Sequence, residues 1–64
     1  MRNTDLYKSM TPYMACGLAE GFEEGTYEDQ LIAWQYIRDT NLWKSLQGFY
    51  GRTVHRLLSE GEIE

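Results

Sequence analysis

The chain has 64 residues, with 6 Lys and Arg against 10 Asp and Glu, and therefore a net charge of −4 at pH 7. Hydrophobic residues make up 42% of it, which is typical of a folded protein and excludes a disordered acidic tail. This length allows one domain with one small core, so we expect no deep cleft between layers.

Several chemistries are excluded by what the chain lacks. Cys16 is the only cysteine and His55 the only histidine, so the chain can form neither an internal disulfide nor a structural zinc site with four sulfur or nitrogen ligands. It contains no Gly-rich phosphate loop, no calcium-loop pattern and no nucleophile–base arrangement. We therefore expect a protein that is not an enzyme and that uses no cofactor and no metal.

Features of membrane and secreted proteins are also missing. No uncharged run is long enough to cross a membrane, and the first residues lack the apolar stretch of a signal peptide. A small secreted domain usually needs disulfides, so their absence favours a reducing compartment. We expect a cytoplasmic protein without a membrane partner.

The domain organisation is simple. Residues 1–10 are weakly patterned and are expected to form a partly ordered N-terminal arm that reaches the core through Leu6, Tyr7 and Met10. Residues 11–64 are expected to form a single small helical domain.

The pattern predicts an all-α fold, because no stretch alternates with the period of a strand. Three helices are predicted, at approximately 12–20, 27–39 and 42–60. Thr11-Pro12 favours a helix start, since threonine caps free N–H groups and proline at the first helical position loses no hydrogen bond. Thr26 followed by Asp29 indicates a capping box. Asn41 and Gly61 suit helix C-termini, and the latter allows Ile63 to fold back onto the last helix.

The last predicted helix has two interpretations. It is either continuous or broken at 48–51, which would give four helices. A short helix, a turn at Gly48-Phe49-Tyr50 and a second helix from about Gly51 would resemble a helix-turn-helix, with Arg52, His55 and Arg56 facing DNA. The acidic net charge argues against this interpretation, because phosphate attraction supplies most non-specific affinity for DNA.

Aromatic residues are too numerous for one small core. The chain has two Trp, five Tyr and two Phe. We expect Trp34 and Trp43 to be the large core residues, packed where Gly48 or Gly51 leaves room, and some other aromatics to stay exposed. Exposed aromatics beside arginine are typical of protein-binding hot spots. The predicted partner-binding residues are Gln47, Phe49, Tyr50, Arg52 and Arg56.

Acidic residues are concentrated before and at the start of the second helix. Glu20, Glu23, Glu24, Glu28 and Asp29 lie in a stretch without any base. They form either a solvated loop with favourable helix N-terminal charge or an acidic patch for a basic partner.

Much of the chain resembles a group of small, uncharacterised proteins of tailed bacteriophages. The residues that carry the resemblance are Thr11-Pro12-Tyr13-Met14-Ala15, Glu28-Asp29-Gln30-Leu31, Ala33-Trp34-Gln35, Ile37, Asp39-Thr40, Leu46-Gln47-Gly48, Gly51-Arg52, Leu57-Leu58, Gly61 and Ile63. The sequence departs from that pattern at Asn41, where a glycine is usual, but both suit a helix C-terminus.

The resemblance implies a phage protein in the cytoplasm of an infected host. It favours a non-enzymatic accessory protein that binds a host or phage protein and modulates or inhibits it, in host takeover or counter-defence. Two alternatives stay open: a helix-turn-helix regulator that binds nucleic acid through Arg52, His55 and Arg56, and a homo-oligomeric structural protein such as a homodimer.

Overall fold

A computed structural model describes all of residues 1–64 and contains helices but no strand, which confirms the all-α prediction. The α-helices are α1 (Asp5–Lys8), α2 (Pro12–Glu20), α3 (Tyr27–Asp39) and α4 (Gly48–Ser59), and a 3₁₀ helix spans Leu42–Ser45. None of them has the length and apolarity that a membrane crossing requires.

Threonine begins each of the first three α-helices. The Oγ1 atoms of Thr4, Thr11 and Thr26 accept hydrogen bonds from backbone N–H groups in the first turns of α1, α2 and α3. At α3 the bond is reciprocal, since the backbone N–H of Thr26 donates to Asp29 Oδ2 at 3.1 Å. The predicted starts of α2 and α3 are thereby confirmed, whereas the start of α1 was not predicted.

The last predicted helix is divided, but the break precedes the predicted position. Leu46 and Gln47 are extended and separate the 3₁₀ helix from α4. Gly48, Phe49 and Tyr50 are therefore the first turn of α4, and their assignment to a turn was wrong. The reason is tertiary: helical backbone here brings the rings of Phe49 and Tyr50 to 6.4 and 5.4 Å from the ring of Trp34.

The core is centred on α3, with α2 and α4 contributing from either side. Eleven hydrophobic residues are buried: Met10, Ala15, Leu18, Ile32, Ala33, Trp34, Ile37, Tyr50, Val54, Leu57 and Ile63. Trp34 lies in this core as predicted, while Trp43 is only partly buried at its edge. A Cβ atom on Gly51 would lie 3.3 Å from Trp43 Cε3, so the predicted glycine–indole contact occurs at Gly51 and not at Gly48.

The N-terminal segment lies against the core, where Met10 is buried and Leu6 and Tyr7 are partly buried. It contains α1, which packs against α3, and Met10 is only 7% exposed. Two long-range contacts hold the segment. The ring of Tyr7 lies 6.0 Å from that of Tyr36, and Arg2 donates two hydrogen bonds to Asp39.

Candidate functional site

The predicted partner-binding residues differ in their exposure. Gln47, Arg52 and Arg56 are exposed, Phe49 is partly buried and Tyr50 is buried at 2% exposure. Tyr50 is therefore not a surface contact. Its ring packs on Trp34 and its hydroxyl donates to the Glu20 carboxylate. Burial, followed by the hydrogen bond to that carboxylate, raises the pKa of Tyr50.

Several basic side chains lie on and beside α4. Arg52, His55 and Arg56 are exposed there, and Arg56 Nη1 lies 3.1 Å from Glu60 Oε1. The Trp43 ring is 6.0 Å from that of His55, and Lys44 Nζ lies 5.6 Å from the indole centroid. However, a four-residue 3₁₀ helix precedes α4 where a helix-turn-helix has an α-helix and a short turn.

The most exposed aromatic residues lie elsewhere, around α2. Tyr13 and Phe22 are each 83% exposed and Tyr27 is 60% exposed. Tyr13 and Phe22 line a cavity of about 450 Å³, whereas Tyr27 lines none. The apolar part of this cavity comes from α2, from the loop after it and from the region of the 3₁₀ helix: Pro12, Tyr13, Cys16, Phe22, Leu42 and Leu46.

A second, smaller cavity adjoins the first. It has a volume of about 250 Å³ and shares Tyr13 and Glu23 with the larger one. Its other lining residues are Leu6, Met14, Leu18, Glu24 and Asp29. We call the lining of the two cavities together the α2 groove, and Tyr13 and Glu23 belong to both cavities.

The chain reverses direction after α2, and this reversal positions Glu23 in the lining of the groove. Gly21 ends the helix with a φ of 84°, a left-handed conformation that glycine adopts without strain. The N–H groups of Phe22 and Glu23 then donate to Gly17 O at 2.9 and 3.1 Å. Because Gly17 has no side chain, Glu23 crosses it closely: a Cβ atom there would lie 2.6 Å from Glu23 Cγ.

All the charged residues that line the α2 groove are acidic. Glu20, Glu23, Glu24 and Asp29 line it, and no Lys, Arg or His does. Glu20 accepts from Tyr50, and Asp29 belongs to the capping box of α3. Glu23 and Glu24 are exposed and have neither an ion-pair nor a side-chain hydrogen-bond partner, so their carboxylates remain available to a binding partner.

A second cluster of charged groups surrounds Asp39. Its carboxylate accepts from Arg2 Nε at 2.7 Å, Tyr7 Oη at 2.6 Å and Gln35 Nε2 at 3.0 Å. The hydrogen bond from Arg2, with the other two, lowers the pKa of Asp39 to about 2. Arg2 also reaches Glu64 Oε1 at 2.9 Å. All these partners are side chains of the fold itself, and no group of three or more His, Cys, Asp or Glu is arranged to hold a metal ion.

Sequence reasoning found the acidic stretch but missed the exposed aromatics beside it. A local signal existed for Phe22, which lies in an acid-rich loop between Gly21 and Gly25 and so has few neighbours in sequence to cover it. Tyr13 gave no such signal, because its exposure depends on how α2 is turned against α3.

Comparison with protein-family models, curated proteins and solved structures found no match to the chain.

Proposed function

We propose that this protein acts by binding another protein through the α2 groove. The observation that carries the proposal is the exposure of Tyr13 and Phe22, 83% each, on the walls of an apolar cavity of about 450 Å³. Aromatic side chains offer a large contact area at a low cost in conformational entropy, and they dominate the hot spots of protein interfaces. A domain of this size gains little from leaving two such rings in water.

The biological setting of the proposal comes from the resemblance to small tailed-phage proteins. On that basis we propose a non-enzymatic accessory protein, in the cytoplasm of an infected bacterium, that modulates or inhibits a host or phage protein. The absence of catalytic motifs in the sequence supports a role in binding rather than in catalysis.

Affinity capture from bacterial lysate, with a matched surface control, tests the proposal. The tagged wild-type chain should enrich a specific protein, and the Tyr13→Ser/Phe22→Ser variant should lose it because the apolar contact is removed. Tyr27→Ser is the control, since Tyr27 is exposed but lies outside the α2 groove. Unchanged circular dichroism would show that all variants are folded. Enrichment that survives the double substitution, or none in the wild type, would contradict the proposal.

Binding to nucleic acid through α4 is a second candidate. The observation that favours it is the common exposure of Arg52, His55 and Arg56 on this helix. Phosphate contacts would make binding salt-dependent, and each lost contact reduces the slope by about 1. A gel shift across several salt concentrations, with and without Arg52→Ala/Arg56→Ala, tests it. An unchanged slope would exclude these arginines as phosphate contacts.

A further inference from the structure

We infer that the α2 groove binds a cationic amphipathic segment of a partner protein, in which Lys or Arg lies between the apolar side chains that enter the groove. This inference rests on the proposed function and names the chemistry of the partner. It follows from three observations: the charge of the groove, the two cavities that share Tyr13 and Glu23, and the burial of the apolar side chains of α4, the cationic helix of this chain.

The charge of the groove selects against most other partners. Four carboxylates line it without a cation, and those of Glu23 and Glu24 are unpaired. An acidic segment or a nucleic acid would be repelled by this wall. A neutral apolar segment would remove water from carboxylates without replacing its hydrogen bonds, which is costly. Lys or Arg side chains replace those hydrogen bonds and add electrostatic complementarity.

The arrangement of the two cavities suggests the order of residues in the segment. Cavities of about 450 and 250 Å³ meet at Tyr13 and Glu23. A segment that crosses both would place a bulky apolar side chain in the larger cavity and a smaller one in the second. A cation between these two anchors would lie over the Glu23 carboxylate. On a helix, this order corresponds to apolar residues about one or two turns apart with Lys or Arg between them.

A second copy of this chain does not supply such a segment. Its cationic helix is α4, which carries Arg52 and Arg56. The apolar residues of the same helix are turned into the core, where Val54 is 1% and Leu57 3% exposed. The helix of another copy would therefore offer cations without free apolar anchors.

Synthetic peptides of defined pattern test the inference. The probe is a fluorescent helical peptide of Leu and Lys, about 14 residues and roughly 21 Å long. On the face that enters the groove, its Leu residues lie one or two turns apart with Lys between them. One comparison peptide has Glu in place of every Lys, and another has the same composition in scrambled order. By fluorescence anisotropy, we expect the Leu/Lys peptide to bind at least about tenfold more tightly than either, and its affinity to fall as salt is raised.

Charge-matched variants locate the binding site. Glu23→Gln/Glu24→Gln should weaken the Leu/Lys peptide about fivefold at low salt, since each exposed ion pair contributes modestly. Glu28→Gln/Glu62→Gln removes the same net charge outside the α2 groove and should leave affinity within about twofold. Tyr13→Ser/Phe22→Ser should weaken binding more than either, because the apolar contacts are lost.

The possible failures are distinguishable. If a lysate protein is captured through Tyr13 and Phe22 but the Lys and Glu peptides bind equally, the partner chemistry is overturned and the proposed function stands. Equal effects of the two glutamine pairs would likewise overturn it, since binding would follow net charge alone. If neither a lysate protein nor any peptide binds, both proposals are overturned. Concentration-dependent dimers that Tyr13→Ser/Phe22→Ser abolishes would show a second copy in the groove and also overturn the inference.

Discussion

Asp39 is the residue on which distant parts of the chain converge. Its side chain, 20% exposed, accepts hydrogen bonds from Arg2, Tyr7 and Gln35. Gln35 is fully buried, and its Oε1 accepts the backbone N–H of Glu64 at 2.7 Å. Both the oxygen and the nitrogen of its side-chain amide therefore form a hydrogen bond. This network joins α3 to Arg2 and Glu64, and it consists of hydrogen bonds among charged and neutral polar groups.

Asp39→Asn should lower the free energy of unfolding at pH 7 by about 1–2 kcal/mol, because a charge-assisted network becomes a neutral one. The folded pKa of about 2 lies below the ordinary aspartate pKa of 3.8, so the ionised carboxylate stabilises the fold above the unfolded pKa. That stabilisation is lost as the pH falls through the folded pKa. The free energy of unfolding of the variant should therefore decrease less between pH 7 and low pH than that of the wild type. Urea unfolding followed by circular dichroism at pH 7 and at lower pH measures both effects.

Asp5→Asn serves as the control for this prediction. Asp5 is exposed and its side chain makes no hydrogen bond, so the acid dependence of this variant should match that of the wild type. Equal acid sensitivity in the Asp39 variant and the wild type would show that the network does not depend on the carboxylate charge.

The start of α4 differs from the starts of the other α-helices. The helix begins at Gly48, and no side chain caps its N-terminus, in contrast to the three threonine-capped helices. Gly51 lies in its second turn against the Trp43 ring, where a Cβ would come within 3.3 Å of Cε3. At Gly48 the nearest atom to an added Cβ is the flexible end of Arg52, 3.0 Å away. The two glycines therefore have different roles although they are three residues apart.

Gly51→Leu should destabilise the fold by about 1–3 kcal/mol, because the added side chain overpacks the contact with the indole. Gly48→Leu is the matched change at a position where only a flexible side chain must move, and it should stay within about 1 kcal/mol of the wild type. Thermal unfolding together with tryptophan fluorescence reports both stability and the surroundings of Trp43. A neutral result for Gly51→Leu would show that the 3₁₀ helix can withdraw from α4.

The molecule as a whole measures 26 × 22 × 19 Å, and its charges are unevenly distributed. The α2 groove is acidic and apolar, whereas α4 presents exposed arginines, so the net charge of −4 describes neither region. The first ten residues are part of this body and not an appendage, since Met10 lies in the core and Leu6 lines the groove. Truncation of the first residues would thus disturb both the core and the candidate site.

Met10→Ala should destabilise the whole domain by about 2–4 kcal/mol, as expected for removal of a buried side chain from a core. Met1→Ala is the control, because Met1 is 39% exposed. A domain of this size rarely has more than about 5 kcal/mol of stability, so a large fraction of the variant should be unfolded near 37 °C. Calorimetry would show this as a lower midpoint. An unchanged midpoint of thermal unfolding would instead show that residues 1–10 are only loosely attached to the domain.

Local signals were sufficient for much of the helical framework. Thr11-Pro12, Thr26 with Asp29, Asn41 and Gly61 each act within about four residues, so their roles could be predicted from their neighbours in sequence. Asn41 adopts a φ of 58° and Gly61 a φ of 73°, and Ile63 beyond it is 3% exposed, as the predicted helix ends require.

The candidate site depended on long-range packing. Whether Tyr50 or Tyr13 faces solvent depends on how α4 and α2 are rotated about their axes against the rest of the core. The residues next to each tyrosine in the sequence do not indicate that rotation. The Asp39 network joins residues 37 positions apart, and the two glycines of α4 differ only through Trp43. The sequence alone therefore determined α2 and α3 with their caps, the end of α4 and the acidic stretch. The choice of which aromatics line a groove was left to the tertiary structure, because exposure is a property of packed helices and not of any one segment.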